Sequence, residues 1–193
     1  MEPRTELQLD APLEVANWRP LVHWLLVIPH MLIAGALSSL GSVVALVSWF
    51  IIVFTGELPD ALAKIQCLVI RYQARAYSYM LWLREPYPAF DFSMTEAEPG
   101  GDPLSVTIRP QLTDRNRLTV ALRFIWVIPI AIFLALVILV GYVVAFVGFL
   151  VVLFTGRWPD GLRDYLVAVV RVGARVTAYG SLLHDDYPPF SLD

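Results

Sequence analysis

The chain repeats itself at a constant spacing of 100 residues. Aligned without gaps, residues 17–90 and 117–190 are identical at 23 of 74 positions, and most mismatches exchange one apolar residue for another. The shared motifs, quoted from the first half, are Val27-Ile28-Pro29, Phe54-Thr55-Gly56-x-x-Pro59-Asp60, Arg71-x-x-Ala74-Arg75 and Tyr87-Pro88-x-Phe90. An internal period of this kind means that one structural unit must account for both halves.

The composition is that of a membrane protein. Hydrophobic residues make up 58% of the chain and charged residues only 16%. No Asp, Glu, Lys or Arg occurs between Arg19 and Glu57 or between Arg123 and Arg157, and each gap far exceeds the roughly 18 apolar residues of a spanning candidate. The net charge of −3 and the lack of a basic surface argue against nucleic acid as a partner. We therefore expect a protein integral to the cell membrane.

Each apolar stretch has an awkward length for a membrane helix. Residues 21–55 would form a straight helix of about 52 Å, against a hydrocarbon core of about 30 Å, yet two full spans need about 40 residues. The economical interpretation is a tight helical hairpin within 20–55 that turns near 38–42, and a second within 118–155 that turns near Gly141. Such a hairpin either crosses a thinned bilayer or enters and leaves by one face, and the sequence leaves both forms open.

A structural corner is predicted where each apolar stretch ends. The glycine of the Phe-Thr-Gly-x-x-Pro-Asp motif suits a left-handed helix cap, the proline suits the start of the next helix, and the aspartate faces the positive end of that helix dipole. The corner residues are Gly56, Pro59 and Asp60 in the first copy and Gly156, Pro159 and Asp160 in the second.

An amphipathic helix is predicted after each corner, over 59–83 and 159–183. At 100° per residue its charged residues form one stripe, while most of the other faces are apolar. Charged side chains at bilayer depth cost a few kcal/mol each, so a helix lying in the interface is the preferred arrangement. A helix that crosses the membrane with its stripe toward a partner or a watery cavity is the alternative. The stripes comprise Asp60, Lys64, Arg71 and Arg75, and Asp160, Asp164, Arg171 and Arg175.

The paired arginines of these stripes are the strongest candidates for a binding role. Arg71 with Arg75, and Arg171 with Arg175, are spaced i, i+4, which suits contact with the phosphates of anionic lipid headgroups or with a partner protein. The structural alternative is pairing within the chain, to Asp60, Asp160 or Asp164, or simple solvation.

Short strands and a linker complete the predicted organisation. Alternating apolar and polar residues predict strands over 5–10 and 104–109, and a Pro- and Gly-rich linker over 94–103 separates a first repeat, 1–93, from a second, 104–193. All 14 Lys and Arg residues lie outside the hairpins or at their roots, so the termini are expected in the cytoplasm. The predicted fold class is a mainly α membrane protein with a tandem parallel repeat, in which the short β-strands lie on the cytoplasmic face.

These motifs together resemble a bacterial membrane-domain family catalogued as domain of unknown function 4389. The residues that carry the likeness in the first copy run from Val27 to Pro29, from Phe54 to Asp60 and from Tyr87 to Phe90, together with Arg71 and Arg75. Their counterparts lie 100 residues further on, so the resemblance covers nearly the whole chain. It implies a membrane architecture and no particular activity, substrate or cofactor.

No catalytic, cofactor or metal site is predicted. The Gly-x-Ser-x-Gly motif of a nucleophile elbow is absent, and Cys67 is the single cysteine. His23 and His30 are seven residues apart and suit one helix face, but no nearby acid completes a metal site, so a structural role is favoured.

Three functions remain open at this level. The first is a non-enzymatic integral membrane scaffold or accessory subunit, held to anionic lipid by its amphipathic helices and bound to other membrane subunits or to a second copy of itself. The second is a membrane-shaping hairpin protein. The third is an enzyme or transporter that handles lipid at the interface, with a cleft lined by Asp60, Arg71, Asp160 and Arg171.

Overall fold

The computed structural model describes residues 4–95 and 100–193. Residues 1–3, and residues 96–99 of the predicted linker 94–103, lie outside the described part. The described chain is mainly helical, with two short strands. In chain order its elements are β1 (Thr5–Leu9), α1 (Arg19–Leu26), α2 (Ile28–Thr55), α3 (Asp60–Met80), β2 (Leu104–Ile108), α4 (Arg117–Ala121), α5 (Arg123–Thr155) and α6 (Asp160–Gly180).

The sheet and the four long helices form three layers. β1 and β2 pair as an antiparallel sheet, which buries Leu7 and Val106 and exposes Gln8 and Ser105, as the two-residue period of a strand requires. The sheet packs against α3 and α6, which lie side by side as the middle layer. α2 packs on α3, and α5 packs on α6.

Different faces of α3 contact the sheet and α2. Ala63 and Cys67 belong to the core beneath the sheet. Tyr72, on the opposite side of the helix at 100° per residue, and Gln66, on the flank between them, bond to α2, where Gln66 Nε2 donates to the Gly41 carbonyl over 2.7 Å. The sheet and the N-terminal half of α2 therefore pack on different faces of α3. The second copy repeats this arrangement around α6.

The two copies are related by a two-fold rotation. A shift of 100 residues converts the ladder pair Thr5 with Ile108 into Gln8 with Ser105, which is another pair of the same ladder. α3 and α6 run antiparallel, because Trp158 at the start of α6 donates its indole N–H to the carbonyl of Trp82 at the end of α3. The rotation axis thus passes through the sheet, perpendicular to the helices, as in a symmetric dimer.

The copies are interlocked at their corners. The segment before α1 bonds to the second corner, where the Val15 N–H donates to the Gly156 carbonyl and the Trp158 N–H to the Leu13 carbonyl, each over 2.9 Å. The segment before α4 bonds in the same way to the first corner, where the Leu58 N–H donates to Leu112 over 2.7 Å. Each corner is therefore completed by the other copy, and the two repeats form one body.

The predicted hairpins within 20–55 and 118–155 are wrong. α2 runs unbroken through 38–42, and α5 runs unbroken past Gly141. The serines of 38–42 suit a helix, since Ser39 and Ser42 bond to carbonyls four residues back. The repeated glycine allows close helix packing instead of a turn, because a Cβ on Gly41 would lie 3.2 Å from Gln66 Oε1. The chain reverses later, at the corner, so the second arm of each hairpin is the amphipathic helix.

The predicted amphipathic helices are present as α3 and α6. In the first copy Arg71 and Arg75 are 0% and 2% exposed, so these two side chains face the protein and not water or headgroups. Asp60 and Lys64, at the start of the same stripe, pair with each other at the surface. The arginines are buried because the chain after α3 folds back along them and covers them.

Candidate functional site: an uncharged outer helix layer

Each corner motif reverses the chain between a long apolar helix and an amphipathic one. Gly56 and Gly156 adopt φ values of 80° and 67°, which L residues rarely adopt, and their N–H groups bond back to the last turn of the helix. The prolines have extended backbones that start the next helix at the aspartate. The residues that share these roles are Gly56, Pro59 and Asp60, and Gly156, Pro159 and Asp160.

The faces of α2 and α5 that point away from the middle layer form an apolar surface without charge, here called the outer layer. Phe54 and Phe154, at equivalent positions, are 75% and 78% exposed. Soluble monomers rarely expose a contiguous apolar patch of this kind, so an apolar partner is required. Other large exposed side chains of the outer layer are Leu32, Val43, Leu46 and Phe50 on α2, and Ile132, Leu139, Val143 and Phe146 on α5.

Both helices of the outer layer are long and apolar enough to cross a membrane. Within their most apolar windows only 22% of α2 residues and 17% of α5 residues are buried in the protein. A core helix of a soluble protein would be mostly buried. The low burial therefore favours contact with lipid over contact with the protein interior.

A groove of about 460 Å³ lies among α2, α3, α5 and α6. Its lining is mostly apolar and includes Ala74 and Ala174 of the middle layer. The polar side chains of the lining are Ser38, Gln73 and Tyr77 in the first copy and Tyr142 and Thr177 in the second.

The arginine pair of the first copy holds the segment that follows α3. Arg71 donates to the Thr95 hydroxyl and to the Ser93 carbonyl, while Arg75 bonds the Asp91 carboxylate at 3.2 Å and the Asp91 carbonyl at 2.9 Å. Burial alone would raise the pKa of Asp91, but hydrogen bonds from Ser93 and the Arg75 charge bring its pKa below the ordinary value. The acid that pairs with Arg75 is therefore Asp91, which was not among the acids predicted from the sequence.

The arginine pair of the second copy is half-buried and lies along the C-terminal segment. Arg171 donates to the carbonyls of Leu7 and Leu192 over 3.2 and 3.3 Å. Burial lowers the pKa of Arg175, and the nearby Arg171 charge lowers it further, while Asp193 opposes the change. Arg71 and Arg75 thus bind the segment that follows their own helix, whereas Arg171 joins the C-terminal segment to β1 of the first repeat. The predicted cleft of Asp60, Arg71, Asp160 and Arg171 has no counterpart among these contacts.

The comparisons with known proteins agree with the repeat. The family model described as Domain of unknown function (DUF4389) matches residues 17–91 and again residues 117–191. The chain belongs to this family. No curated protein and no solved structure matches it. The family assignment supports the tandem architecture and does not indicate an activity.

A buried electrostatic contact between the second DUF4389 copy and the segment before it is centred on Asp185. Its carboxylate accepts bonds from Arg115 (2.8 Å), Arg123 (2.6 Å) and the Asn116 N–H (2.9 Å), and both arginine side chains are buried. Burial alone would raise the pKa of Asp185, but these bonds and charges lower it overall. Glu85, its equivalent, accepts from the Ala16 N–H. The repeated acid before Tyr-Pro-x-Phe was the available signal for this contact.

The histidines of the first DUF4389 copy bond to groups within the chain. His23 stacks on Tyr79 with ring centroids 3.9 Å apart, and burial lowers the pKa of His23 to about 4. His30 bonds the Tyr72 hydroxyl over 2.8 Å. Within residues 4–95 and 100–193, no three His, Cys, Asp or Glu side chains come together as metal ligands. Both histidines therefore take part in packing.

Proposed function

We propose that this protein is a non-enzymatic membrane scaffold or accessory subunit, attached to the membrane through its outer layer. The observation that supports this proposal is the uncharged apolar surface of α2 and α5. Transfer of apolar side chains such as Phe54 and Phe154 from water to hydrocarbon is favourable by about 1.5–3 kcal/mol each when burial is complete. Two helices therefore provide more than enough apolar area for stable attachment.

The contacts of the buried charged side chains support a structural role over a catalytic one. The buried ionic groups bond to the chain itself, as Arg75 does to Asp91 and Arg123 does to Asp185. The groove has an apolar lining with few polar groups. A general acid or nucleophile would need to face a cleft that a substrate enters.

The sheet side of the molecule is proposed as the surface that meets partner proteins. It exposes polar side chains, including Gln8, Ser105 and Arg109, and it lies opposite the outer layer. All 14 Lys and Arg residues lie outside 20–56 and 124–156, so we place this side and both termini in the cytoplasm. Anionic lipid remains a proposed ligand for the half-buried Arg171 and Arg175 at the edge of the molecule.

Membrane attachment is tested by placing charges on matched surfaces. Val43→Lys with Val143→Lys puts one charge at equivalent exposed positions of each outer-layer helix, and Gln8→Lys with Ser105→Lys is the control on the sheet. After a carbonate wash, the natural chain and the sheet variant are expected in the membrane pellet, while the outer-layer variant is lost from it. Release of the natural chain by the wash contradicts membrane integration.

The scaffold role is tested by mass spectrometry of a tagged copy purified natively from its own membrane. Partner proteins in fixed stoichiometry are expected, and their loss after charge reversal at Arg109 would locate them at the sheet. Purification of the chain alone, or only with copies of itself, contradicts the accessory-subunit proposal.

Lipid handling is a second candidate, favoured by the groove. A Cβ on Gly173 would meet no atom within 4 Å, so Gly173→Leu fills the groove without a clash at its first carbon. Gly35→Leu, on the exposed surface of α2, is the matched control. If a lipid occupies the groove, native mass spectrometry will show it on the natural chain and the control but not on Gly173→Leu.

A further inference from the structure

We infer that α2 and α5 lie in the plane of the membrane, embedded in one leaflet, and do not cross it. This inference rests on the proposed membrane attachment and specifies its geometry. In this arrangement the two-fold axis is perpendicular to the membrane, the outer layer faces the hydrocarbon, and the sheet faces the cytoplasm.

The first argument comes from what lies beside α2 along its length. Gly41, at the middle of α2, contacts Gln66 of α3, and His30, two residues after the start of α2, contacts Tyr72 of α3. α3 therefore accompanies the N-terminal half of α2 and would share its depth. A crossing α2 would carry Gln66 of α3 to the centre of the bilayer.

The second argument is the free-energy cost of placing the charged groups beside α3, and the sheet, in hydrocarbon. Arg71 and Arg75, the latter paired with Asp91, lie five and nine residues beyond Gln66 on α3, about 8 and 14 Å along the helix axis. Both positions fall within the half-thickness of about 15 Å of the hydrocarbon core. The sheet, with its Glu6 and Arg109 ion pair, packs on the same helix. A charged side chain costs about 2.5–3.5 kcal/mol at the bilayer centre, and an open two-stranded sheet has unpaired edges that lipid cannot satisfy. An in-plane orientation keeps all of these groups outside the hydrocarbon.

Helix length provides the third argument. α2 has 28 residues and α5 has 33, which correspond to about 42 and 50 Å at 1.5 Å per residue. A hydrocarbon core of about 30 Å leaves a large mismatch if these helices cross it. No such limit applies to a helix that lies within a leaflet.

Symmetry provides the fourth argument. The two-fold axis is perpendicular to the helices, so a crossing orientation would place the equivalent corner residues Glu57 and Arg157 on opposite sides of the membrane. Both ends of the molecule carry charge, with Arg19 and Arg157 at one end and Glu57 and Arg117 at the other. In the in-plane orientation these charges form a rim at headgroup level, and exposed Trp24 and Trp126 lie near its two ends. Both copies then meet the membrane in the same way.

The test is the sidedness of introduced thiols. Glu57→Cys and Arg157→Cys place one thiol at each exposed corner, Gln8→Cys places one on the sheet, and Val43→Cys places one on the outer layer. The natural chain is the background control, since its single cysteine, Cys67, is buried. Each variant is treated with a membrane-impermeant maleimide in right-side-out and in inside-out vesicles. A second titration after denaturation in SDS counts the thiols that were protected.

The inference predicts that both corners and Gln8→Cys react from the same side, and that Val43→Cys is protected from both sides. Reaction of the two corners from opposite sides, or of only one corner from the side that labels Gln8→Cys, overturns the in-plane orientation while leaving membrane attachment intact. Recovery of the natural chain in the soluble fraction instead overturns the proposed attachment, so the two failures are distinguishable.

Discussion

The two DUF4389 copies place different side chains in equivalent contacts. In the second copy the buried Trp158 ring occupies the space above Gly148, and a Cβ on that glycine would overlap the ring. The first copy has Leu58 and Ser48 at the same positions. The large corner residue Trp158 is thus matched with glycine, and the smaller Leu58 with serine. Because the two side chains of each pair fill one space, a residue from one copy would not fit the other copy unless its partner changed as well.

The polarity of equivalent contacts also changes in matched pairs between the two copies. His30 bonds the Tyr72 hydroxyl in the first copy, whereas the equivalent Ile130 packs on Val172 in the second. Tyr79 and Tyr179 are kept in both copies, but one stacks on His23 and the other lies 3.9 Å beneath the guanidinium of Arg123. A contact can therefore change its chemistry when both partners change together, because an unmatched polar atom in a dry site is costly.

The largest expected difference between the copies concerns their acidic contacts. Asp185→Asn removes the negative charge that two buried arginines, Arg115 and Arg123, share, and we expect a loss of about 3–5 kcal/mol of stability. Glu85→Gln is the matched control, because Glu85 is more exposed and lies 3.9 Å from Arg19, so its loss should be about 1 kcal/mol or less. Thermal unfolding in detergent, followed by tryptophan fluorescence, measures both. Equal losses would show that the two contacts are energetically alike.

Overpacking at the second corner is expected next in size. Gly148→Ala forces its new methyl group against the Trp158 ring, which is buried and has no free space to move, so we expect a loss of about 1–3 kcal/mol. Ser48→Ala, at the equivalent position, removes a buried hydroxyl that has no hydrogen-bond partner within the described chain, and it should be neutral or stabilising. Trp158→Leu in the Gly148→Ala background should recover part of the loss. No recovery would mean that the two positions are not coupled.

The buried polar pair of the first copy can be tested by a double-mutant cycle. Tyr72→Phe leaves His30 without its hydroxyl partner and should cost about 1–2 kcal/mol. His30→Ile, which copies the second unit, leaves the tyrosine hydroxyl unpaired at a similar cost. The double variant should lose less than the sum of the single losses, because both polar partners are gone. Additive losses would contradict a direct coupling.

The smallest effect is a pH dependence that distinguishes His184 from its equivalent, Arg84. Burial holds the pKa of His184 near 4, although Asp186 opposes the shift and Arg4 adds to it. The unfolded chain takes up a proton near the ordinary pKa of 6.5, and the folded chain does so only near 4, so stability should fall as the pH is lowered between these values. Between pH 7 and pH 5 we expect a loss on the order of 1 kcal/mol from this residue.

The control for this pH dependence is His184→Gln, which should show a flatter profile. His23 has the same shift to about 4, so part of the dependence will remain in that variant. The measurement is the unfolding temperature at several pH values in one detergent. A profile that His184→Gln does not change would contradict this assignment.

Several parts of the architecture were predictable because they depend on local sequence. The left-handed caps favour glycine at 56 and 156, and the prolines at 59 and 159 suit the start of a helix, so the corners were predicted at the correct positions. The strands over 5–10 and 104–109 match β1 and β2 within one residue, since their alternation sets one buried face. The two long apolar stretches were recognisable from the absence of charge alone.

The predictions that failed depended on which surfaces meet. The repeated glycine at 41 and 141 suits both a turn and a close helix contact, and only the presence of Gln66 opposite Gly41 distinguishes them. The arginine stripe suits headgroups and internal acids equally well, and the choice is made by the returning segment that carries Asp91. Pro129 lies inside α5, whereas the helix of the first copy is interrupted at Val27, just before Pro29.

The sequence by itself determined the duplication, the family, the two uncharged stretches and the corners that end them, because each of these depends on residues close together or on a fixed period. The tertiary structure alone decided that each uncharged stretch contains one long helix, that the copies interlock about a two-fold axis, that α3 and α6 form a middle layer, and that Arg71 and Arg75 bond within the chain. These features arise from contacts between residues as far apart as Val15 and Gly156, whose pairing depends on complementary shape and charge and leaves no local pattern.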